Sequence, residues 1–448
     1  MDRRKSEQEL LEKAKKPGIR ALKLHPLYKG KIEVIPKCAI RNLEDFSIWY
    51  TPGVAEPCKE IFRDPENVFE HTNKGNTVAV ITDGTRVLGL GNIGPLAALP
   101  VMEGKAILFK YLGGVDAFPI CLDTVDAEEF IRTVKLLAPS FGGINLEDIE
   151  NPKCFYILER LRAESPIPVW HDDQQGTALV TLAGLINALK LVKKRLEDVK
   201  ITLVGFGAAN VCIAKLLIKA GADPRKMIIV DSKGILNTKR DDIAESYKEK
   251  IEFSRITNVE GRDGGIEEAL VGQDVLIALS KPGPGVIQKE WIGKMAPNAI
   301  AFLCANPIPE MWPWEAKEAG ARVVATGRSD FPNQVNNSLG FPAVFRGALD
   351  VRARMITDEM CIAAAYELAK CAEDRGLHEE YLVPTMEEWE VFPRVAVAVA
   401  KKAIEQNVAR LSFSEKELFK MAEEKIRRAR EEVQVLMENG VIKLCEDE

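Results

Sequence analysis

Residues 200–210 read KITLVGFGAAN: an apolar run, two glycines one residue apart, then small residues able to open a helix. A strand that ends on such a turn and feeds a helix is a junction where backbone N–H groups can meet a phosphate. Outward from it the pattern repeats. An amphipathic stretch through AKLLIKAG is followed by the apolar runs KMIIVDS, DVLIALS, AIAFLCANP and RVVATG. Strands alternating with helices at this spacing predict right-handed βαβ crossovers and a Rossmann-like, doubly wound parallel sheet over residues 166–342. Upstream, residues 1–165 mix strand-like runs (TVAVITDG, AILFKYLGG) with helical patterns such as AEEFIRTVKLLAPSFGG, whose closing glycines fit a helix end. An α/β unit is expected there. Downstream, residues 343–448 are nearly all helical in pattern, and the 36 residues from Phe413 read as a helix packed on the body or on a partner subunit. The fold class is therefore α/β, and no internal repeat interrupts it.

Composition narrows the function. The 448 residues are 46% apolar and 29% charged, the balance of a soluble protein too long for one core. The net charge of -6 comes from 61 basic and 67 acidic residues mixed along the chain, so no basic stripe exists to track a nucleic acid. The N-terminal MDRRKSEQELLEKAKK lacks the apolar core of a secretory signal, and the longest uncharged stretch, residues 87–102, is broken by glycines and prolines. A cytoplasmic protein without membrane attachment is expected. Nine cysteines stand singly, without zinc spacing, as befits buried thiols in a reducing compartment. With only four histidines, other groups should carry most proton transfers.

Two constellations carry chemistry. The turn Gly205-Phe206-Gly207-Ala208-Ala209-Asn210 is a weak signal alone. Here it follows a strand and opens a helix, and the next strand ends at Asp231, a carboxylate able to bond an adenosine ribose. Asn210 departs from the usual third Gly or Ala, which allows close helix packing. The second constellation is acidic: Glu147 and Asp148 in INLEDIENP, and Asp172 and Asp173 in VWHDDQQGTA after the strand-like IPVW. Such pairs are costly to group without a compensating cation, and hard oxygen ligands suit magnesium or manganese. Paired acids are also common as solvated loop residues, so spacing alone leaves both readings open.

The segments IWYTPGVAEPC, TDGTRVLGLGNIG, LEDIENPKCFYILERLR, HDDQQGTA and TGRSDFPNQVNNSLGFPAVFRGALD, in this order, closely resemble blocks of malic enzymes over residues 20–410. The resemblance is to the short prokaryotic form without an acyltransferase-like C-terminal domain. It implies a substrate domain, a nicotinamide domain, C-terminal helices that return to the first domain, and a homodimer or dimer of dimers. It further implies malate as substrate, NAD or NADP as cofactor, and a divalent metal, Mg2+ or Mn2+. By motif, Lys105 would be the general base and Tyr50 the general acid. Arg86 would hold a malate carboxylate, and Asn306 and Asn337 would contact substrate or nicotinamide. Glu147, Asp148 and Asp173 would ligate the metal. Many bacterial relatives have His where this chain has Gln175.

These residue types suit the reaction. A lysine beside a dication and apolar walls has its neutral form favoured and can take a hydroxyl proton, and a tyrosine can return one to carbon. Asp231 slightly favours NAD, whereas Ser232 and Lys233 could accept a 2'-phosphate. An amino-acid dehydrogenase of similar plan would need a lysine pair and no metal carboxylates. A dinucleotide sensor with a decayed site would have lost one of these groups, and none is missing.

Overall fold

The computed structural model describes residues 3–444; Cys445 lies outside them. Two sheets organise the chain. The first contains β1 (Thr77–Thr82), β2 (Asp116–Cys121), β3 (Gly143–Leu146) and β4 (Val169–His171), all parallel, in the order β2-β1-β3-β4. Strands covered on both faces need no polar alternation, and TVAVIT is accordingly buried throughout. At the edge, β2 is only half-buried and tolerates Pro119.

Two expectations for this half are corrected. AILFKYLGG is not a strand but the second half of helix Gly94–Gly113. Its buried Ala106, Phe109 and Leu112 recur every three residues while Ile107 and Tyr111 face outward, so helical packing against the sheet overrides a strand-like composition. The glycines after AEEFIRTVKLLAPS do not cap that helix, which spans Ala127–Leu137. They lead into β3, where a Cβ on Gly142 would lie 2.5 Å from the Lys74 carbonyl and one on Gly143 2.8 Å from the Phe345 ring.

The second sheet contains β5 (Ile201–Val204), β6 (Met227–Asp231), β7 (Gly234–Ile235), β8 (Val275–Ala278), β9 (Ala299–Leu303) and β10 (Ala321–Thr326), in the order β10-β9-β8-β5-β6-β7. All neighbours are parallel except the short β6–β7 pair. The chain winds from β5 toward β6 and then returns to β8, which makes the gap beyond β5 and β8 the switch point where such sheets bind ligands. Residues 166–171, expected to open this unit, instead supply β4 to the first sheet, because Val169, Trp170 and His171 pair with Ile144, Asn145 and Leu146.

The C-terminal helices do return to the first sheet. Phe341 and Phe345, in helix Phe341–Asp350, place their rings 4.6 and 5.2 Å from Phe109, and Phe345 lies 6.4 Å from Trp170. Helix Asp358–Arg375 packs on helix Thr177–Val192, and one hydrophobic cluster runs through both sheets. The helical run Asp172–Val192 is long and apolar enough to cross a membrane, but 78% of its apolar window is buried in this core.

Candidate active site

At the end of β5 the chain turns through Gly205 with φ +103°, where a Cβ would lie 2.4 Å from the Leu279 carbonyl oxygen. Only glycine fits. Gly207 meets no such obstacle and precedes helix Ala208–Lys219, whose first turn has no side-chain cap. Ala208 and Ala209 therefore present free helical N–H groups, a cradle suited to a pyrophosphate. Asn210 explains its own departure from Gly or Ala: buried, it donates from Nδ2 to the Val204 and Gly205 carbonyls at 2.9 and 3.0 Å and ties the helix to the strand end.

Asp231 ends β6 as expected, but its carboxylate is already engaged. Arg240 donates to both oxygens at 2.8 and 3.1 Å, Lys250 at 2.7 Å, and the Lys233 N–H at 2.9 Å. Burial alone would raise its pKa, yet the hydrogen bonds from Arg240 and Lys250 hold it below the usual carboxylate range.

The acids gather at the mouth of the first sheet. Glu147, Asp148 and Asp173 each offer an oxygen, all within 4.8 Å of one another. Glu147 and Asp148 follow β3, and Asp173 lies in the π-helical turn Asp172–Gly176 after β4. Adjacent parallel strands thus aim residues distant in sequence at one point. Asp148 adopts φ +55°, and its N–H donates to Asp173 Oδ2 at 2.8 Å. Its own Oδ2 is buried without a hydrogen-bond partner. Burial, followed by the charge of Asp173, pushes the Asp148 carboxyl up to about 8. Burial likewise drives Glu147 well above its ordinary value, with the lowering pull of Lys105 outweighed. A dication would relieve this strain, so the three hard-oxygen donors fit Mg2+ or Mn2+.

Lys105, on helix Gly94–Gly113, forms ion pairs with Asp172 and, at 3.2 Å, with Glu147, and sits 4.6 Å over the Phe341 ring. The expected bias toward a neutral lysine is not met by these residues alone. Burial lowers its pKa, but Asp172 and Glu147 outweigh that and hold the ammonium protonated. A cation held by Glu147, Asp148 and Asp173 would cancel the Glu147 and Asp173 share of this pull and leave that of Asp172. Sequence reasoning placed Asp172 beside the metal ligands without a role; here it is the partner of Lys105, and its Oδ1 accepts from Trp170 at 3.2 Å. Only the bare HDD pairing hinted at it.

His171 is fully buried and held neutral by that burial, 3.6 Å from Asp173. Gln175 accepts the His171 N–H at 3.0 Å, so glutamine serves as a loop brace at this position. Asn337 packs against the same turn, its Cβ 3.2 Å from where a Gly176 Cβ would stand. Asn306 follows β9, and its carbonyl would lie 3.3 Å from a Cβ on Gly89, so its loop meets the loop that carries Arg86. Arg86 bonds the Asp148 carbonyl through its own N–H at 3.0 Å and leaves its guanidinium exposed without a partner among the described residues. Tyr50 is not in the cluster. It caps helix Leu43–Trp49, is 71% exposed, and its hydroxyl has no partner among the described residues.

A glycine turn at a switch point, with Gly207 beside Asn151 on the loop that follows Glu147 and Asp148, and a carboxylate cluster with an ion-paired lysine belong to an α/β protein whose residues suit a dinucleotide and a divalent cation. Malic enzyme, N-terminal domain, matches residues 29–162, and Malic enzyme, NAD binding domain, matches residues 174–312 and 319–404. The chain belongs to the malic enzyme family. It is 51% identical to the bifunctional malic/malolactic enzyme of Bacillus subtilis over 398 residues, 89% of this chain and 96% of that one. It is also 51% identical to the NAD-dependent malic enzyme of Geobacillus stearothermophilus, over 85% of this chain and 78% of that one. The crystal structure of the Entamoeba histolytica malic enzyme superposes with a TM-score of 0.95 at 47% identity, covering 98% of this chain and 92% of that one.

Proposed function

We propose that the protein converts malate to pyruvate and carbon dioxide with reduction of NAD or NADP, and that it needs Mg2+ or Mn2+. The observation that carries this reading is the convergence of Glu147, Asp148 and Asp173 beside Lys105, with Gly207 of the glycine turn next to Asn151 on the loop that follows Glu147 and Asp148. Those acids would hold the cation, which when bound supplies Lewis-acid charge; Gly205, Gly207, Ala208, Ala209, Asn210 and Asp231 would hold the dinucleotide, which takes the hydride. Lys105 is the base for the C2 hydroxyl proton as that carbon becomes a ketone. Asp172 aims the lysine and stabilises its protonated form. Arg86, with its exposed guanidinium, binds a malate carboxylate, and Asn306 and Asn337 orient substrate and nicotinamide. After carbon dioxide leaves, Tyr50 gives a proton to the enol carbon.

A homodimer or larger homo-oligomer belongs to this reading. Supporting it, the N-terminal part of the chain, where Tyr50 lies, exposes Leu22, Val34, Leu43 and Phe62, each at least 80% exposed, apolar side chains that a partner subunit could cover. The eight described cysteines are all free, which suits a reducing cytoplasm. The domain reading keeps a substrate unit, a dinucleotide unit and a C-terminal helical segment, with the first boundary moved to the end of β4. Malate-dependent formation of NADH or NADPH, with and without Mn2+, is the test. Absence of turnover with either dinucleotide in the presence of Mn2+, or an undiminished rate in excess chelator, would overturn the reading.

A further inference from the structure

Glu310 is a completely buried carboxylate for which the reaction above has no use. It lies in the segment after β9, and its oxygens reach the ends of two neighbouring strands. Oε1 accepts the Ser280 N–H at 2.8 Å and the Ser280 hydroxyl at 3.2 Å, just past β8. Oε2 accepts the Ala305 N–H at 3.1 Å, just past β9. None of the ion pairs among the described residues involves it, so neutral donors alone stabilise its charge, an arrangement that demands close geometry.

What Glu310 holds is the crevice itself. Leu279 and Ser280 are the residues on which Gly205 rests, a Gly205 Cβ lying 2.4 Å from the Leu279 carbonyl and 3.3 Å from Ser280 Cα. On the other side, Ala305 immediately precedes Asn306. The backbone bonds Ile287 N–H to Glu310 O (3.3 Å) and Gly283 N–H to Ile308 O (3.3 Å) close the same pair of loops. One side chain therefore links the floor of the phosphate turn to the loop that presents Asn306, across the switch point where β8 meets β5.

We infer that Glu310 is a positioning residue: its carboxylate sets the spacing of the loops after β8 and β9, and through them holds the glycine turn and Asn306 in register for the dinucleotide. The inference rests on the dinucleotide site proposed above. Glutamine has the same size but brings an amide that must face the Ser280 or Ala305 N–H, donor against donor. The test is titration of NADH, followed by nicotinamide fluorescence and by calorimetry, on the full chain loaded with Mn2+. Mn2+ affinity is measured in parallel. Glu310→Gln should weaken NADH binding about tenfold or more, the scale of one misplaced charged hydrogen bond, with Mn2+ affinity unchanged. Glu310→Asp, which keeps the charge but cannot span both loops, should fall between Gln and wild type and guards against a Gln variant that fails to fold. Wild-type NADH affinity in either folded variant overturns the assignment, and so does an equal loss of Mn2+ affinity, which would mark a merely structural role. Failure of the wild-type chain to bind NADH would instead sink the dinucleotide site itself.

Discussion

Raising the pH should tighten divalent-cation binding by about tenfold per pH unit for every proton that the acids must release. Asp148, pushed up to about 8 by burial and then by the Asp173 charge, sets the window. At pH 7 a carboxyl with that midpoint is about nine-tenths protonated, so a cation that takes Asp148 releases close to one proton from it. Glu147, also well above its ordinary value, adds toward a second. The Kd for Mn2+ should therefore fall by about tenfold to about a hundredfold between pH 6 and 7, and less steeply above pH 8. The sign follows from the direction of the shift. A carboxyl raised on folding binds a proton that the unfolded chain has released, so the cation-free protein loses stability as pH climbs from the carboxylate range toward 8. Bound cation should abolish that loss. Calorimetric Mn2+ titrations in two buffers of different protonation enthalpy count the protons directly. Asp148→Asn should bind Mn2+ more weakly and release about one proton fewer. Equal Kd values at pH 6 and 8, or unchanged proton release in Asp148→Asn, would show that the cluster is not the cation site or that its acids are already ionised.

Lys105→Ala should nearly abolish malate oxidation, and the wild-type rate should rise with pH as the ammonium held by Asp172 and Glu147 loses its proton; a Lys105→Ala enzyme impaired only in KM would remove it as the base. Tyr50→Phe should damage kcat while malate and dinucleotide affinities, measured directly, stay nearly intact, and a wild-type kcat would return Tyr50 to a packing or interface role. Because Arg240 and Lys250 already occupy Asp231, the preference for NAD over NADP in kcat/KM should be modest, within about tenfold, and Arg240→Ala should raise it by freeing the carboxylate. A clear wild-type preference for NADP would mean that the surrounding cations outweigh Asp231. Phe345→Ala, which empties the space between Phe109 and Trp170, should cost about 3–5 kcal/mol in urea unfolding. A loss under about 1 kcal/mol would mean that the C-terminal helices do not hold the first sheet.

The apolar runs KITLV, KMIIVD, DVLIA, AIAFL and RVVAT all became strands of the second sheet, because a parallel strand covered on both faces must be apolar along its length. Where that rule weakens, reading failed. DAFPIC gave no strand signal, since β2 is a half-buried edge with a proline, and AILFKYLGG gave a false one, since a short apolar run fits either period until its neighbours are known. The glycine turn and the acidic pairs were legible because each depends on residues adjacent in the chain.

What the sequence determined by itself was everything local: the strand–turn–helix at 200–210, the residue types able to bind a cation, and a carboxylate at the end of β6. Only the tertiary structure decided which of these groups act together. Pairing of β3 with β4 brings Glu147 and Asp148 to Asp173, and packing of helix Gly94–Gly113 delivers Lys105 to Asp172. The same folding engages Asp231 with Arg240 and Lys250, and leaves Tyr50 apart from the acids. The physical reason is that charge interactions depend on distance and burial, and for residues separated by 25 to 67 positions neither exists until the sheets have formed.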